Sequence, residues 1–439
     1  ATAILLPERD TVATSSIEHG IAQKFSSKAE DSTFAGTATS SACFGVFDGH
    51  SGKQTARALS QILCQRLLKA GPPFDEASVV AAFWEVDREI GENGIKGDYL
   101  QAGEQRVTLD GATATVLLVE QNCDKFSCML AWCGDSTAVQ LDAVSGRVVG
   151  KTTDHKPDVP SEVSMIKRIA RARRWIRKQR AGRGRSGLQD RGGGENDEGE
   201  DEDEDEEVEA ERTTEQQGRA AGKSLAEEPT PTREEVANAL ASLEHDPAEA
   251  GAPLEEEIAL VLRSLERQKL IEQLLPIGAC SRRRAVFCRR PFEKDRTQPL
   301  VVATTHDHRR RHYSDLQMTR SICDWRASVL VVPHPQIIRF EVPPGTWQRV
   351  ILASDGLWDV CSTRKAATLA SPAWRHSAER AAQVLADYAE AEYERMGVVG
   401  TGAHNVADDT SVVVIDLNPS GMTIERPQTT CQCECCPLL

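Results

Sequence analysis

Three aspartates stand beside short apolar runs that lie far apart in the chain. Asp48 follows such a run directly, Asp355 follows one after Ser354, and Asp408 precedes one. Runs of this length and β-branched composition predict buried strands. Carboxylates that are placed at strand ends in this way can converge on a centre that holds two divalent cations. The recurrence of the pattern indicates metal chemistry more strongly than any single instance.

Two residues beside Asp48 add to this chemistry. Gly49 can expose its backbone carbonyl, and the imidazole of His50 can exchange a proton near neutral pH. Carboxylate and carbonyl oxygens are the ligands that Mg²⁺ and Mn²⁺ prefer. The tripeptide alone also fits an ordinary turn at the end of a strand.

The elements around these residues predict a mixed fold. Helical spacing of apolar residues predicts helices after the first turn and before the last strand, and shorter β-branched runs predict strands. Gly-Asp-Ser at 134–136 predicts a hairpin in which Asp135 is structural. The predicted helices are 54–69, 76–90 and 376–396, and the predicted strands are 43–47, 112–119, 127–133, 138–141, 300–304, 329–332 and 349–353.

A charged segment interrupts this pattern. Residues 167–185 are densely basic, and residues 200–207 are all acidic. Because such blocks cannot bury enough apolar surface to fold, we expect disorder over 181–232. Helical spacing returns at 234–243 and 254–275. The segment is read as a solvated loop, with nuclear import or masking of basic by acidic residues as alternatives.

Composition limits the class of protein. The 439 residues allow one large domain or two to three ordinary ones, and a net charge of -15 argues against a general nucleic-acid binder. Most of the 13 cysteines are scattered, which fits a reducing compartment. Because no apolar run reaches about 18 residues, we expect an intracellular, soluble chain.

Eight motifs, taken together and in order, resemble the metal-dependent protein phosphatases of the 2C type. They cover most of the chain outside the charged segment and the C-terminal tail. The motifs are 29–31 (Ala-Glu-Asp), 44–50 (Phe-Gly-Val-Phe-Asp-Gly-His), 111–114 (Gly-Ala-Thr-Ala), 131–136 (Ala-Trp-Cys-Gly-Asp-Ser), 153–157 (Thr-Asp-His-Lys-Pro), 319–321 (Thr-Arg-Ser), 353–360 (Ala-Ser-Asp-Gly-Leu-Trp-Asp-Val) and 408–412 (Asp-Asp-Thr-Ser-Val).

The resemblance implies a fold and a metal centre. The fold would be α+β, with two mainly antiparallel β-sheets in a sandwich flanked by helices. Two Mg²⁺ or Mn²⁺ ions would lie in a cleft, with Asp48 bridging them and the Gly49 carbonyl on the second ion. Asp355 and Asp408 would complete the coordination of the first ion.

The resemblance also assigns residues around these ions. Glu30 and Asp31 would hold metal-bound waters or shape the surroundings of the ligands, and Asp154 would join Asp355 at a weaker third ion. A metal-bridging hydroxide would attack the phosphorus of phosphoserine or phosphothreonine, while His50 would protonate the leaving oxygen. His50 and Asp48 are therefore the expected catalytic residues, and phosphoproteins are the expected substrates.

Two other functions stay open. One is a catalytically weak relative that binds phosphoproteins or acts as a scaffold, and the other is a hydrolase of small phosphate esters. The first is motivated by departures from the family pattern. Ser26 stands where the family carries a phosphate-binding Arg, with Lys24 and Lys28 as nearby substitutes, and Cys323 stands where a turn glycine is expected. Ser51 is a milder change.

The predicted organisation has four parts. The phosphatase domain would run over 1–180 and 276–420, interrupted by the charged insertion 181–275 and followed by a cysteine-rich tail, 421–439. The tail's cysteines fit a lipidated membrane anchor, a disordered tail with reactive thiols or a metal-binding cluster. We expect a monomer in the cytoplasm or nucleus that binds no nucleic acid, with peripheral membrane association if the tail is lipidated. The four tail cysteines are Cys431, Cys433, Cys435 and Cys436.

Overall fold

The computed structural model defines the fold over most of the chain. The described residues are 16–26, 28–96, 110–122, 124–185, 230–242, 255–274, 284–289, 300–305, 314–325, 331–371, 377–397 and 407–419. The predictions for the tail 421–439 and for most of the charged segment, 186–229, lie outside these residues.

Groups of strands and groups of helices follow one another along the described chain. The strands are β1 (Ser16–Lys24), β2 (Ser32–Thr37), β3 (Ser41–Phe47), β4 (Gly49–His50), β5 (Gly111–Ala112), β6 (Ala114–Gln121), β7 (Phe126–Cys133), β8 (Thr137–Asp142), β9 (Val148–Lys151), β10 (Arg284–Arg289), β11 (Leu300–Thr305), β12 (Ser314–Leu316), β13 (Ile322–Cys323), β14 (Gln336–Val342), β15 (Gln348–Ala353) and β16 (Thr410–Asn418). The helices are α1 (Gln54–Ala70), α2 (Glu76–Lys96), α3 (Pro160–Arg185), α4 (Arg233–Ala241), α5 (Glu255–Leu274), α6 (Asp355–Trp358), α7 (Thr363–Leu369) and α8 (Ala378–Arg395).

The chain forms two compact units. The first unit comprises Ala1–Ala82, Thr113–Asp154 and Pro335–Leu439, and the second comprises Phe83–Ala112 and His155–His334. No helix within the described ranges is long and apolar enough to span a membrane.

The first unit contains two antiparallel sheets, which confirms the predicted α+β class. Their strand orders are β1-β16-β15-β8-β9 and β14-β7-β6-β3-β2. β16 shows how the sequence builds the layers, because its side chains alternate between two cores. Val413 and Ile415 pack in a core shared by both sheets, whereas Val412 and Val414 pack in a second core with α8 residues such as Leu385. The two sheets therefore form a sandwich, with α8 on one outer face.

The connection from β7 to β8 differs from the prediction. The two strands belong to different sheets, so the predicted hairpin at 134–136 is wrong and the turn is a crossover between sheets. Gly134 is suited to it, because its φ is +114° and an added Cβ would lie 2.6 Å from the Thr113 side chain. Asp135 therefore lies in a connection between the two sheets and not in a hairpin.

In the second unit, α3 extends further than the charge pattern predicted. The helix continues to Arg185, so the first five residues of the predicted insertion are helical. Its buried side chains include Ile166, Ile169 and Ile176, which recur at helical spacing among the basic residues. A narrow apolar stripe is therefore enough to dock a strongly basic helix, and α3 packs against α4 and α5.

A buried ion pair ties α5 to the rest of the second unit. Arg267 on α5 donates from Nε to Asp87 Oδ2 at 2.8 Å and from Nη1 to the Val331 carbonyl at 3.0 Å. Asp87 also accepts from the Cys323 backbone N–H at 2.7 Å and from Trp325 Nε1 at 3.0 Å. Cys323 has a φ of +68°, so a side chain does stand at the left-handed turn where the sequence led us to expect glycine.

Replacing Arg267 by Met should destabilise the protein strongly. The change leaves the buried Asp87 carboxylate without its charge partner, and removal of one member of a buried pair costs about 3–5 kcal/mol. Urea denaturation of the full chain measures this loss. Lys269→Met on the same helix is the control and should change the free energy of unfolding by less than about 0.5 kcal/mol. Equal effects of the two substitutions would contradict the role given to the ion pair.

Candidate active site

Strand pairing brings two of the predicted aspartates to one edge of a sheet. β15 and β16 are antiparallel, with Ala353 opposite Val412. The end of β15 therefore lies beside the start of β16, which places Asp355 just after one strand and Asp408 just before the other. Between them, the Ser354 backbone N–H donates to the Ser411 carbonyl at 3.1 Å.

The segment before β2 joins this edge through Asp31. Ser354 Oγ donates to Asp31 Oδ2 at 2.8 Å and accepts from the Ser411 backbone N–H at 3.0 Å. Asp31 is buried, and burial raises its pKa to about 7. At neutral pH this carboxyl group is thus poised between its two protonation states.

Asp48 at the end of β3 lies against Asp355. The two carboxyl groups share a hydrogen bond, and burial raises the pKa of each well above its usual range. The charges of neighbouring carboxylates raise both pKa values further: Asp31, Asp135 and Asp408 act on Asp48. These groups are therefore close enough to repel one another, as carboxylates in a cation site must be.

The cluster contains buried oxygens that lack donors. Asp31 Oδ1 and Asp355 Oδ1 are buried, and neither has a hydrogen-bond partner among the described residues. Unsatisfied anionic oxygens of this kind fit a hard divalent cation, which accepts several carboxylate ligands. Within the described part of the chain, no three His, Cys, Asp or Glu side chains already stand as a complete metal-binding set. The described carboxylates thus lie close together without the spacing of a complete set of metal ligands.

Gly49 and its neighbours form a crowded turn beside Asp48. An added Cβ on Gly49 would lie 2.6 Å from the Glu30 carbonyl oxygen, so the backbone here admits only glycine. The Glu30 carboxylate accepts from the Gly52 backbone N–H, and the charge of His50 acts on the same carboxylate. Burial is the main cause that raises the pKa of Glu30. The predicted residues Glu30, Gly49 and His50 are thus neighbours.

Asp409 is a structural member of this site that the sequence analysis did not single out. Its carboxylate accepts from the Ser26 backbone N–H at 2.5 Å and from the Glu30 backbone N–H at 2.6 Å. It therefore holds the segment that carries Glu30 and Asp31. The doubled aspartate at 408–409 was the available signal: one side chain anchors the neighbouring segment, and the other faces the cluster.

Asp135 and Asp154 have different surroundings in the structure. Asp135 is buried, and its charge raises the pKa of both Asp48 and Asp355. Asp154 instead accepts from Thr137 Oγ1 at 2.8 Å. The crossover between sheets explains the difference, because it delivers Asp135 to the strand ends.

The two candidate lysines have different surroundings. Lys24 forms ion pairs with Asp387 at 3.0 Å and Glu390 at 2.8 Å on α8. Lys28 Nζ lies 3.0 Å from Asp408 Oδ1, and its ammonium is also influenced by Glu30. Lys28 therefore lies at the carboxylate cluster, whereas Lys24 is held by a helix.

The fold and the cluster together define a two-sheet α+β sandwich with carboxylates gathered at its strand ends. The family model for protein phosphatase 2C matches residues 9–187 and 293–395. This chain belongs to the protein phosphatase 2C family, whose members are metal-dependent.

Two curated plant proteins are similar to part of the chain. A probable protein phosphatase 2C 8 of Oryza sativa subsp. japonica is 32% identical over 142 residues, which are 28% of this chain and 32% of the rice protein. Protein phosphatase 2C 57 of Arabidopsis thaliana is 29% identical over 143 residues, which are 30% of this chain and 34% of that protein. The matched region thus spans about a third of each relative.

Two solved structures are similar over a longer stretch. A serine-threonine phosphatase 2C from Toxoplasma gondii is 14% identical, with 92% of this chain and 95% of that chain covered and a TM-score of 0.49. A C. elegans sex determining protein is also 14% identical, with 92% and 65% covered and a TM-score of 0.48.

In chelator-treated protein, the free energy of unfolding should fall as the pH rises from about 4 to about 8. The folded-state pKa of Asp31 is about 7, above the value in the unfolded chain, so the stabilisation from its bound proton is lost as the pH passes that value. Asp355→Asn removes one of the repelling charges. We expect it to stabilise the chelated protein at pH 8, as measured by thermal unfolding.

Divalent cations should reverse the order of stability, so that the wild type becomes more stable than Asp355→Asn. At 100 times its dissociation constant, Mg²⁺ should stabilise the wild type by about 2.7 kcal/mol, and Asp355→Asn should lose most of that gain. Asp124→Asn, which changes an exposed carboxylate, should behave as wild type. A chelated wild type that becomes more stable between pH 5 and 8 would contradict this account.

Proposed function

We propose that this protein is a metal-dependent serine/threonine protein phosphatase. The observation that carries the proposal is the pair of buried, donor-free carboxylate oxygens on Asp31 and Asp355 within the cluster that contains Asp48. Repulsion between these carboxylates lowers the stability of the protein unless cations neutralise their charges. The cluster is therefore best explained as a cation site. Membership of the protein phosphatase 2C family supports phosphoester hydrolysis as its use.

Two Mg²⁺ or Mn²⁺ ions would be held by Asp48, the Gly49 carbonyl, Asp355 and Asp408. Glu30 and Asp31 would hold waters around them or set the position of the ligands. The bound ions would supply the charge that makes water nucleophilic near neutral pH and that offsets negative charge on the phosphoryl group.

Asp135 is a better candidate than the predicted Asp154 for a ligand of a weaker third ion. The charge of Asp135 acts on Asp355, the residue with which a third ion would be shared. One carboxylate oxygen of Asp154 already accepts a hydrogen bond from Thr137. A role for Asp154 at this ion stays a prediction.

His50 would act on the leaving group. Its side chain is half-buried, and its charge acts on the Glu30 carboxylate of the same cluster. Protonation of the departing seryl or threonyl oxygen is the step that a histidine can assist. The expected substrates are therefore phosphoproteins, whose alkoxide leaving groups need that proton.

The domain organisation is also a proposal. The gap in the family match, 188–292, overlaps the predicted insertion 181–275, which supports a phosphatase domain built from 1–180 and 276–420. Placement in the cytoplasm or nucleus, a monomeric state and a lipidated tail stay predictions.

The proposed activity is tested by hydrolysis of p-nitrophenyl phosphate and of a phosphothreonine peptide with Mn²⁺, Mg²⁺ or chelator. We expect activity on both substrates only with the divalent ion, and its loss in Asp355→Ala. His50→Gln should lower kcat on the peptide by about 10²–10³ and on the aryl ester much less, because nitrophenolate leaves without a proton.

Two outcomes would contradict these assignments. A wild type that binds Mn²⁺ but hydrolyses neither substrate would leave the enzyme claim without support and favour the binding or scaffold function. Equal losses on both substrates in His50→Gln would assign His50 a positioning role in place of proton donation.

Lys28 is the described lysine best placed to meet a substrate phosphate. Once cations neutralise Asp408, the Lys28 ammonium, 3.0 Å from it, becomes available to an anion. We expect Lys28→Ala to raise KM for the phosphopeptide about 5- to 20-fold with a smaller change in kcat, in line with loss of one charged hydrogen bond of about 1–2 kcal/mol. Lys24→Ala is the matched control, and a similar rise in its KM would contradict the assignment.

A further inference from the structure

Helix α3 carries four basic side chains along one exposed face. We name Lys167, Arg171, Arg174 and Lys178 the basic stripe; they recur at intervals of four, three and four residues, and all four are exposed. This spacing places them on one side of a helix. The buried residues Ile169, Arg173 and Ile176 occupy the other side. The stripe is therefore a continuous positive surface about 16 Å long.

The neighbouring helices leave this surface uncovered. Two partly covered basic residues of α3 have acidic partners: Arg168 pairs with Glu257 on α5 at 3.1 Å, and Arg180 pairs with Glu235 on α4 at 2.9 Å. Within the described ranges, no ion pair involves a member of the basic stripe. Four exposed cations thus lie on one helix face in a chain whose net charge is -15.

The same chain supplies a complementary segment close by. Residues 200–207, which we name the acidic block, are eight consecutive Asp and Glu residues, and they follow Arg185 after a connection of 14 residues. An extended eight-residue segment spans about 26 Å, longer than the stripe, and the connection reaches up to about 46 Å. The far end of the stripe lies about 27 Å from Arg185 along the helix.

We propose that the acidic block binds the basic stripe of its own chain and masks it from other polyanions. A short tether raises the local concentration of the block to the millimolar range, so weak contacts suffice. Each exposed ion pair contributes little, about 0–1 kcal/mol, and the effect depends on several pairs acting together. Because the interaction is between exposed charges, salt weakens it. This binding is independent of the proposed phosphatase activity.

Heparin, a sulfated polyanion, is the probe for a free stripe. We compare the full chain with a block variant, in which residues 200–207 are changed to Asn and Gln, by titration at about 0.15 M salt. The block variant should bind heparin at least tenfold more tightly. Adding Lys167→Gln, Arg171→Gln, Arg174→Gln and Lys178→Gln to the block variant should abolish that gain.

A matched control separates local from overall charge. Arg57, Lys69, Arg147 and Arg364 are exposed basic residues of the first unit, and changing them to Gln in the block variant alters the net charge equally. This control should keep the gain in heparin affinity. No gain in the block variant, or a gain that survives loss of the stripe, would overturn the proposal.

Zero-length carbodiimide cross-linking of the wild type gives direct evidence. It should join Lys167 or Lys178 to carboxylates of residues 200–207 within one chain, as read by mass spectrometry of the monomer band. The cross-links should disappear at about 1 M salt, where the screening length is about 3 Å. Cross-links found only between two chains, or only to carboxylates outside the block, would overturn the proposal.

Discussion

The site depends on holding like charges together. Asp48, Asp355 and Asp31 meet where strands of the first unit end, in surroundings that raise the pKa of each. Burial and mutual repulsion oppose this arrangement, and the hydrogen bond from Ser354 to Asp31 offsets only part of the cost. The sheets must therefore be stable enough to impose it. The alternating cores on the two faces of β16 and β15 provide that stability, because the carboxylates extend directly from the most buried strands.

Much of this could be predicted from the chain itself. The strand that ends at Asp48 and the strand that ends before Asp355 are apolar and bounded by Gly-containing turns, which is a strong local signal. The long helix before β16 was equally clear, since its alanines and leucines recur at helical spacing. These elements rest on local periodicity, so the fold class follows once the motifs are placed in order.

The unpredicted features depend on contacts between distant residues. Asp135 looked like a hairpin residue, because the sequence does not reveal that β7 and β8 enter different sheets. Asp409 anchors the segment around Glu30 from more than 370 positions away. The sequence places Arg267 in a predicted helix of the insertion but does not reveal that it is the buried partner of Asp87. Contacts of this kind arise from tertiary packing, and neither composition nor periodicity predicts them.

The central claim is that the carboxylate cluster is a divalent-cation site that exchanges protons for metal. The most direct test is calorimetric titration of Mn²⁺ into chelator-treated protein at pH 7, repeated in buffers of different ionisation enthalpy to count the protons released. We expect Mn²⁺ binding coupled to proton release, because burial raises the pKa of Asp31 to about 7 and raises the pKa values of Asp48 and Asp355 above their usual range, so that the cation competes with protons for these carboxylates. Asp48→Asn should abolish this Mn²⁺ binding or weaken it strongly. Absence of Mn²⁺ binding, or binding that is unchanged in Asp48→Asn and releases no protons, would contradict the account.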